Sequence, residues 1–470
     1  MFSEAKDTLR SQRALDDDNI LPPEGIEPLV RTLDDFLVVI QSARAGQVVP
    51  VATSFLREAE NGAAVLAELH ARTGLSIRLL TDEEEAQFTF HGAVWGLPVD
   101  NGLAVDIGGG SAELALFERR TLVDSWTLLL GSLHLSDLFL RSDPPTRNEL
   151  HELKEHIRSV LQGVEIRCLG PTHRLIGTGG SIRNIAKIDR RTRSYRFGRL
   201  HGYTLEADQL RAICKRLAHA STAERLEIGG LNDNRVDSIV GGAFVLRTLV
   251  EYLSVPSVLV SGHGIREGLA RGGCEKSLPE VEAVRRGSII CLAERFAAWD
   301  RRTAERRAAV TVQLVDKLRS MLDADSYPLI EHAVRLVDAG SSMDYYNRFA
   351  NAALIVERGD VDGFDHREIA LLSAMLRYAE RERRSLERYE PILGEQDRLF
   401  VRRAGTLIAL VDELERRLTV EDRGCLSFYV DPGYMKVNGH GLSSWQPRGL
   451  AKRFESSFGL ELVVGGEQRT

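Results

Sequence analysis

The chain has 470 residues, 43% of them hydrophobic and 27% charged, which excludes a disordered or fibrous protein and implies about three globular domains. A net charge of −7 offers no bulk attraction to nucleic acid or to an acidic membrane, so neither is expected as a partner and any cations for an anionic substrate must be local. Five scattered cysteines with no CxxC pair, a polar amino terminus and the lack of any apolar run of about 18 residues point to a reducing, cytoplasmic compartment.

In chain order, residues 24–44 carry apolar positions at helical spacing behind a Pro-Pro start signal. "VVPVATS" (48–54) reads as a short buried strand, and "GAAVLAELHARTG" (62–74) as a helix closed by Gly74. "SIRLLT" (76–81) is a second strand. "DEEEAQFTFHGAVWG" (82–96) is a helix whose first turn is loaded with carboxylates, as the macrodipole favours. Strands alternating with helices imply an α/β fold with a largely parallel sheet.

"GLAVDIGGGSAELALF" (102–117) then predicts a hairpin, with "TLVDSWTLLL" (121–130) as a third strand and a helical region over 133–164. "HRLIGTGGSIRNIAKI" (173–188) is a strand, a Gly-rich turn and a helix start. A long helix follows at 233–253, a strand at 257–262 and a helix at 264–273. Two layouts recur: "VVPVATSFLREAE" matches "HRLIGTGGSIRNIA", and "SIRLLTDEEEAQF" matches "SVLVSGHGIREGLA". That is the pattern of an internal duplication. The second copy opens with a hairpin; the first opens at "SEAKDTLRS", in the place of the third strand, with no hairpin before it.

Residues 281–420 are helical by period, and 421–470 form a small α+β segment with strands "CLSFYV", "YMKV" and "LELVVGG" around the helix "RGLAKRFESSFG".

Two glycine clusters suit anion contact. Gly108, Gly109 and Gly110 let backbone N–H groups converge on an anion, and Ser111 adds a hydroxyl. This loop returns as a strand, unlike Walker or dinucleotide loops, which feed a helix; the alternative is a plain tight turn. Gly179, Gly180 and Ser181 do feed a helix, whose amides and dipole suit a phosphate, while close strand–helix packing is the competing reading. Asp106 and Glu113, flanking the first loop, can face one cavity and hold a divalent cation. Arg57, just past a strand, can face the second half across a cleft.

"VATSFLREA", "LLTDEEEAQFTFHGA", "AVDIGGGSAEL", "IGTGGSIRNIAK" and "GIREGL", in this order and spacing, resemble the exopolyphosphatase / guanosine pentaphosphate phosphohydrolase family of the actin-like ATPase superfamily. The resemblance spans about residues 5–272 and continues more weakly into the helical region. It implies two ribonuclease-H-like halves (1–101 and 102–273), an all-helical HD-like domain (281–420) and a small α+β domain (421–470). It also implies a Mg2+-dependent hydrolase releasing terminal phosphate from inorganic polyphosphate, or from guanosine pentaphosphate, with a homodimer as the associated state. Glu85 would be the general base, Asp106 and Glu113 would support Mg2+, and Arg57 would contact the phosphate chain. Gly108, Gly109, Gly110 and Ser111 would form the second phosphate loop, and Gly179, Gly180 and Ser181 would line the channel. The family's first phosphate loop, of Asp-Ile-Gly-Ser-Asn-Ser type, has no counterpart here. Either the start lies downstream of the true one, or the half-site is lost and the chain binds polyphosphate or an alarmone without catalysis.

The HD-like region departs from its pattern as well. Its "LHDIG" element appears as "LVDAG" (336–340), keeping Asp338 but with Val337 in place of histidine; "YNRFANAALIV" (346–356) replaces a His-rich element, and "RYA" (377–379) a "RYH". A His/Asp metal site needs those imidazoles, so no catalytic metal is expected there, and His332 and His366 read as isolated histidines.

Overall fold

The computed structural model describes residues 15, 18–164, 166, 169–272, 275–324, 326–381, 384–418 and 426–465. The chain divides into two compact units, Met1–Glu280 and Val281–Thr470. The segment "SEAKDTLRS" lies outside the described residues.

The first unit opens with α1 (Pro23–Ser42), β1 (Val51–Ala52), α2 (Ser54–Glu58), α3 (Gly62–Thr73), β2 (Arg78–Leu79) and α4 (Asp82–Trp95). The apolar stripe of α1 meets α2 and α3 in a small core of Leu21, Ile26, Val30, Leu56, Val65 and Leu69. Gly74 ends α3 in the left-handed conformation that glycine adopts without strain. β1 and β2 pair in parallel, Val51 with Arg78 and Ala52 with Leu79. The strand expected over 48–54 is thus shorter, and Arg57 sits within α2 rather than just past a strand.

There follow β3 (Gly102–Ile107), β4 (Ala112–Glu118), β5 (Thr121–Leu128), α5 (Ser132–Phe139), α6 (Arg147–Gln162), β6 (Arg174–Thr178), α7 (Gly179–Thr192) and β7 (Tyr203–Glu206). α8 (Ala207–His219), α9 (Thr222–Leu226), α10 (Ile239–Leu253), β8 (Ser257–Val260) and α11 (Ile265–Ala270) complete this part. The sheet order is β5-β4-β3-β6-β8-β7. It is mixed, not largely parallel: β3–β6 and β6–β8 run parallel, whereas β3–β4, β4–β5 and β7–β8 are antiparallel. Tight turns join β3, β4 and β5, and only antiparallel strands can be joined that way. β7 and α8 carry no strong start signal in the sequence, and the strand forms because β8 offers it a free edge.

Strand periodicity assigns the two faces of this sheet. Leu103, Val105, Ile107, Ala112, Leu114 and Leu116 enter the large core shared with α10, which is buried nearly all round. Ala104, Ala115, Phe117 and Ile176 face the other way, onto Phe90, Ala93 and Val94 of α4. The duplicated layout has a structural counterpart. In each half two strands pair in parallel and each strand leads into a helix: β1–α2 and β2–α4 in one, β6–α7 and β8–α11 in the other.

α4 and α11 meet backbone to backbone. A Cβ on Gly92 would overlap the Gly264 carbonyl oxygen, and one on Gly268 would overlap that of Phe88. At the far end of α4 the buried Arg120 guanidinium donates to the carbonyls of Trp95 (2.9 Å), Leu97 (3.1 Å), Val99 (2.8 Å) and Pro279 (2.5 Å). Of these only the Trp95 carbonyl belongs to the last turn of α4, so the guanidinium ties that end of the helix to the chain just beyond it and suits the negative end of the dipole.

The second unit contains α12 (Val281–Ala293), α13 (Arg301–Leu318), α14 (Pro328–Ser341), α15 (Arg348–Arg358), α16 (His366–Ala379), α17 (Arg398–Glu415) and α18 (Arg448–Phe458). β9 (Ser427–Asp431), β10 (Tyr434–Asn438) and β11 (Glu461–Gly465) form a three-stranded sheet in the order β11-β10-β9. His332 and His366 are both buried in helices.

Gly268→Val is expected to destabilise the protein by about 3 kcal/mol or more, because the obstacle is backbone and cannot swing aside. Gly46→Ala, where an added Cβ meets nothing within 4 Å, is the control and should leave the denaturation midpoint nearly unchanged. Equal midpoints for the two variants would contradict the close approach.

Candidate active site

The face of the sheet that packs on α4 does not stay apolar to its end. Beyond Ala104 on β3 comes Asp106, and before Ala115 on β4 comes Glu113, each on the α4 side by period two. The two are direct cross-strand partners. Side chains in such a position have Cβ atoms only about 5 Å apart, and like charges there repel. Glu85, buried in the first turn of α4, adds a third carboxylate above the same row.

Burial is the main force on all three groups. It raises the Asp106 carboxyl above the usual range, against the pull of the Arg183 and Arg235 guanidinium groups. Burial, then the charge on Asp106, pushes Glu113 up to about 8, although it accepts a hydrogen bond from the Ser111 hydroxyl. Glu85 is raised by burial too, and Arg57 offsets part of that rise.

The first glycine loop is pinned from behind. The carbonyl of Gly108 accepts from the Ser132 amide and hydroxyl (2.9 Å each), and that of Gly109 accepts from the amides of Leu133 (2.9 Å) and His134 (3.0 Å). Gly131 donates to the Gly110 carbonyl at 2.9 Å and packs so tightly on this loop that a Cβ would overlap it. The amino terminus of α5 is therefore occupied by loop carbonyls. The amides of Gly109, Gly110 and Ser111 donate to no backbone carbonyl among the described residues, and such a run of amides is the ingredient of an anion nest.

α2 brings Arg57 to the first turn of α4. Its guanidinium donates to the Leu80 carbonyl at 2.8 Å, to Glu85 Oε2 at 3.1 and 3.2 Å, and to Asp82. The helix start that holds Glu85 is fixed by a capping box, with Glu84 N donating to Thr81 Oγ1 (3.2 Å) and Thr81 N to Glu84 Oε2 (3.1 Å). Ser54 of α2 comes within 3.5 Å of the Ser111 hydroxyl, so the first stretch reaches the loop itself.

The second glycine loop sits beside Asp106. Gly179 has φ +91°, and a Cβ there would overlap Asp106 Oδ1, so both its conformation and its space require glycine. Arg235 lies against Gly180, where a Cβ would displace it. Ser181 opens the helix that follows this loop. Its side chain is fully buried against Gly242 of α10. Sequence reading also missed Arg183, which spans the Gly179 (3.1 Å) and Gly262 (2.9 Å) carbonyls, and Thr178, whose hydroxyl donates to the His263 carbonyl at 2.6 Å. Their signal was position alone: both adjoin the glycines.

In the second unit Asp338 accepts from both terminal nitrogens of Arg307, at 2.6 and 3.1 Å. Arg307 and Arg348 also pair with Asp412. The carboxylate kept from the HD pattern is therefore engaged by an arginine.

Residues 1–276 match the Ppx/GppA phosphatase family, and residues 284–411 match domain III of the same family. Exopolyphosphatase 1 of Mycobacterium tuberculosis is 28% identical over 272 residues, covering 57% of this chain and 79% of that protein. Exopolyphosphatase 2 of the same organism is 28% identical over 260 residues, covering 53% and 81%. The crystal structure of an exopolyphosphatase-like protein covers 56% of this chain and 89% of its own, at 22% identity and a TM-score of 0.51, a likeness of fold.

A carboxyl raised by folding makes stability depend on pH in a fixed sense. Glu113 keeps its proton in the folded chain up to about 8, whereas the unfolded chain gives it up near 4.5. Stability should fall as pH rises through that window. The Tm of metal-free protein is expected to drop between about pH 5 and 8, and Glu113→Gln should reduce that slope. Equal slopes in the two proteins would refute the placement of a neutral Glu113.

Proposed function

This chain belongs to the Ppx/GppA phosphatase family, and we propose that it releases terminal phosphate from inorganic polyphosphate, with Glu85 as the general base. One observation carries the reading. Three carboxylates gather on one face of the sheet, beside a glycine loop whose amides are left without carbonyl partners. Most proteins avoid such a cluster, and its concentration at a nest for anions is what phosphoryl transfer to water requires. The names of the mycobacterial relatives favour polyphosphate as the substrate.

The architecture behind this reading is two ribonuclease-H-like halves, the first having β1 and β2 as its only strands among the described residues. Its support is the matched pair of parallel strand–helix units.

Asp106 and Glu113 fit a divalent cation such as Mg2+. They are hard oxygen donors placed opposite each other, and burial drives both toward protonation. A cation held there would neutralise phosphate oxygens as charge shifts in the reaction. The remaining work falls to the chain itself. The amides of Gly109, Gly110 and Ser111 cradle phosphate oxygens, and the pinning of this loop by α5 means little rearrangement is needed when they do. Arg57 binds the phosphate chain, and Glu85 takes a proton from the attacking water.

Arg57 links binding to basicity. In the free protein it pairs with Glu85. An arriving phosphate competes for the guanidinium and draws it away, so Glu85 loses the partner that held its carboxyl down. Its pKa rises further, and it becomes the stronger base only when substrate is present.

Two outcomes test this. Glu85→Gln should lower phosphate release from long-chain polyphosphate in the presence of Mg2+ by about 10²–10⁴-fold. A fully active variant would refute the base, and an inactive wild type would favour a binding protein. In pH profiles, the acid limb of kcat should lie at higher pH than that of kcat/KM, because kcat reports Glu85 in the complex. Arg57→Gln should bring the two limbs together; limbs that coincide already in the wild type would remove Arg57 from this role.

A further inference from the structure

The second unit concentrates positive charge around an empty space. A cavity of about 600 Å3 is lined by Arg381, Arg398, Arg402, Lys452 and Arg453, with Tyr378 beside them and no carboxylate in its wall among the described residues. Two helices contribute faces of matching character. Arg398 and Arg402 are one turn apart on α17, and Gly449, Lys452, Arg453 and Ser456 recur at three- and four-residue spacing on α18. In a chain of net charge −7, such a cluster is not a reflection of bulk composition.

The usual fate of a surface arginine is an ion pair, and here that holds only for Arg398, with Glu395 at 2.6 Å. Among the described residues, Arg381, Arg402, Lys452 and Arg453 form none. The two that are held in place are held by neutral oxygens. Arg453 donates to the carbonyl of Ala379 (3.0 Å) and to that of Tyr378, at the negative end of α16, and lies over the Tyr378 ring at 4.7 Å. Arg402 donates to the carbonyl and hydroxyl of Ser456 and to Ser457 Oγ (3.4 Å). Carbonyl and hydroxyl partners orient a guanidinium but leave its full charge uncompensated. Burial, then the charge of Arg381, pulls Arg453 down to about 10, which still leaves it charged at neutral pH.

A single phosphate or carboxylate would answer only part of this charge. A second cavity, of about 480 Å3, shares Arg381, Gly449 and Arg453 with the first; Trp445, Phe349 and Gln446 line it together with the carboxylates of Glu380, Asp412 and Glu413. The pair of cavities therefore runs from a cationic lobe to a mixed one with two aromatic faces and three carboxylates, of which Asp412 is paired with Arg348 and Glu413 with Arg417.

We propose that this cavity is a binding site, built from α16, α17 and α18, for a compact small molecule carrying several phosphate groups. The cations take the phosphates, and the adjoining lobe accommodates whatever organic group they are attached to. Two sources share this chemistry: a short bare phosphate chain and a nucleoside triphosphate. Both can be presented in forms that resist cleavage, so the test does not depend on the hydrolytic reading of the first unit.

The experiment is calorimetric titration of the full chain with imidotriphosphate and, separately, with the β,γ-imido analogue of ATP. Lys452→Glu is the main variant, because Lys452 is exposed and its replacement leaves the helix core intact. Arg402→Gln is the second, with circular dichroism and Tm as checks on folding. Wild type should bind, with an affinity that falls as salt rises, and Lys452→Glu should weaken binding roughly tenfold, the loss of about 1.4 kcal/mol. Equal affinities for the two probes assign the site to the phosphate chain; tighter binding of the nucleotide analogue adds the aromatic lobe. No binding by wild type, or binding that neither variant weakens, overturns the proposal, since the anion would then be held elsewhere.

Discussion

Two acidic side chains facing each other across neighbouring strands are a liability in a protein core. In this chain Asp106 and Glu113 stand in that relation at the edge of a packed sheet face, and much of the first unit is arranged to tolerate them. Arg183 and Arg235 lean on Asp106, the Ser111 hydroxyl donates to Glu113, and Gly179 leaves out the side chain that would overlap Asp106. None of these neighbours neutralises the pair. Burial and the charge on Asp106 instead hold a proton on Glu113, which is pushed up to about 8, so the pair is eased by protonation rather than by a cationic partner.

The scaffold holds this pair by rigidity. The loop that carries the glycines has its carbonyls tied to α5, and α4 is fixed at both ends: by a capping box at its acidic start and by the four-carbonyl grip of Arg120 at its close. A buried guanidinium with only neutral partners is costly, and it is drawn down to about 10 by that burial. It is retained where it fixes the helix that places Glu85. Preorganisation of this kind would put the proposed base where it acts without a conformational search.

What the sequence disclosed follows from how local each feature is. The hairpin, the row of carboxylates and the acid-rich start of α4 were legible, because strand alternation and helix capping are written in consecutive residues. The burial of the Ser181 side chain was not, because it rests on Gly242, which lies far along the chain. Nor was the pinning of the glycine loop by α5, which depends on a turn at Gly131 bringing the helix start back to Gly108 and Gly109. The mixed sheet was hidden for a similar reason: alternation of strands and helices suggests parallel pairing, but β7 joins by antiparallel contact with an edge the sequence does not advertise. The cationic cavity is assembled from residues some 75 positions apart, and each arginine alone looks like an ordinary solvated side chain.

The crossing of α4 and α11 separates two kinds of constraint that sequence variation would confuse. Gly92 and Gly268 touch no reacting group, yet each sits against a main-chain carbonyl of the opposite helix and has no room for a single methyl. Over evolutionary time these two positions should resist change as strongly as Glu85, and they should do so together, since one helix cannot retreat without opening a gap at the other. Invariance at this crossing would record the lack of room between two backbones, while invariance at Glu85, the proposed base, would record chemistry. A ranking of positions by invariance alone would place them side by side.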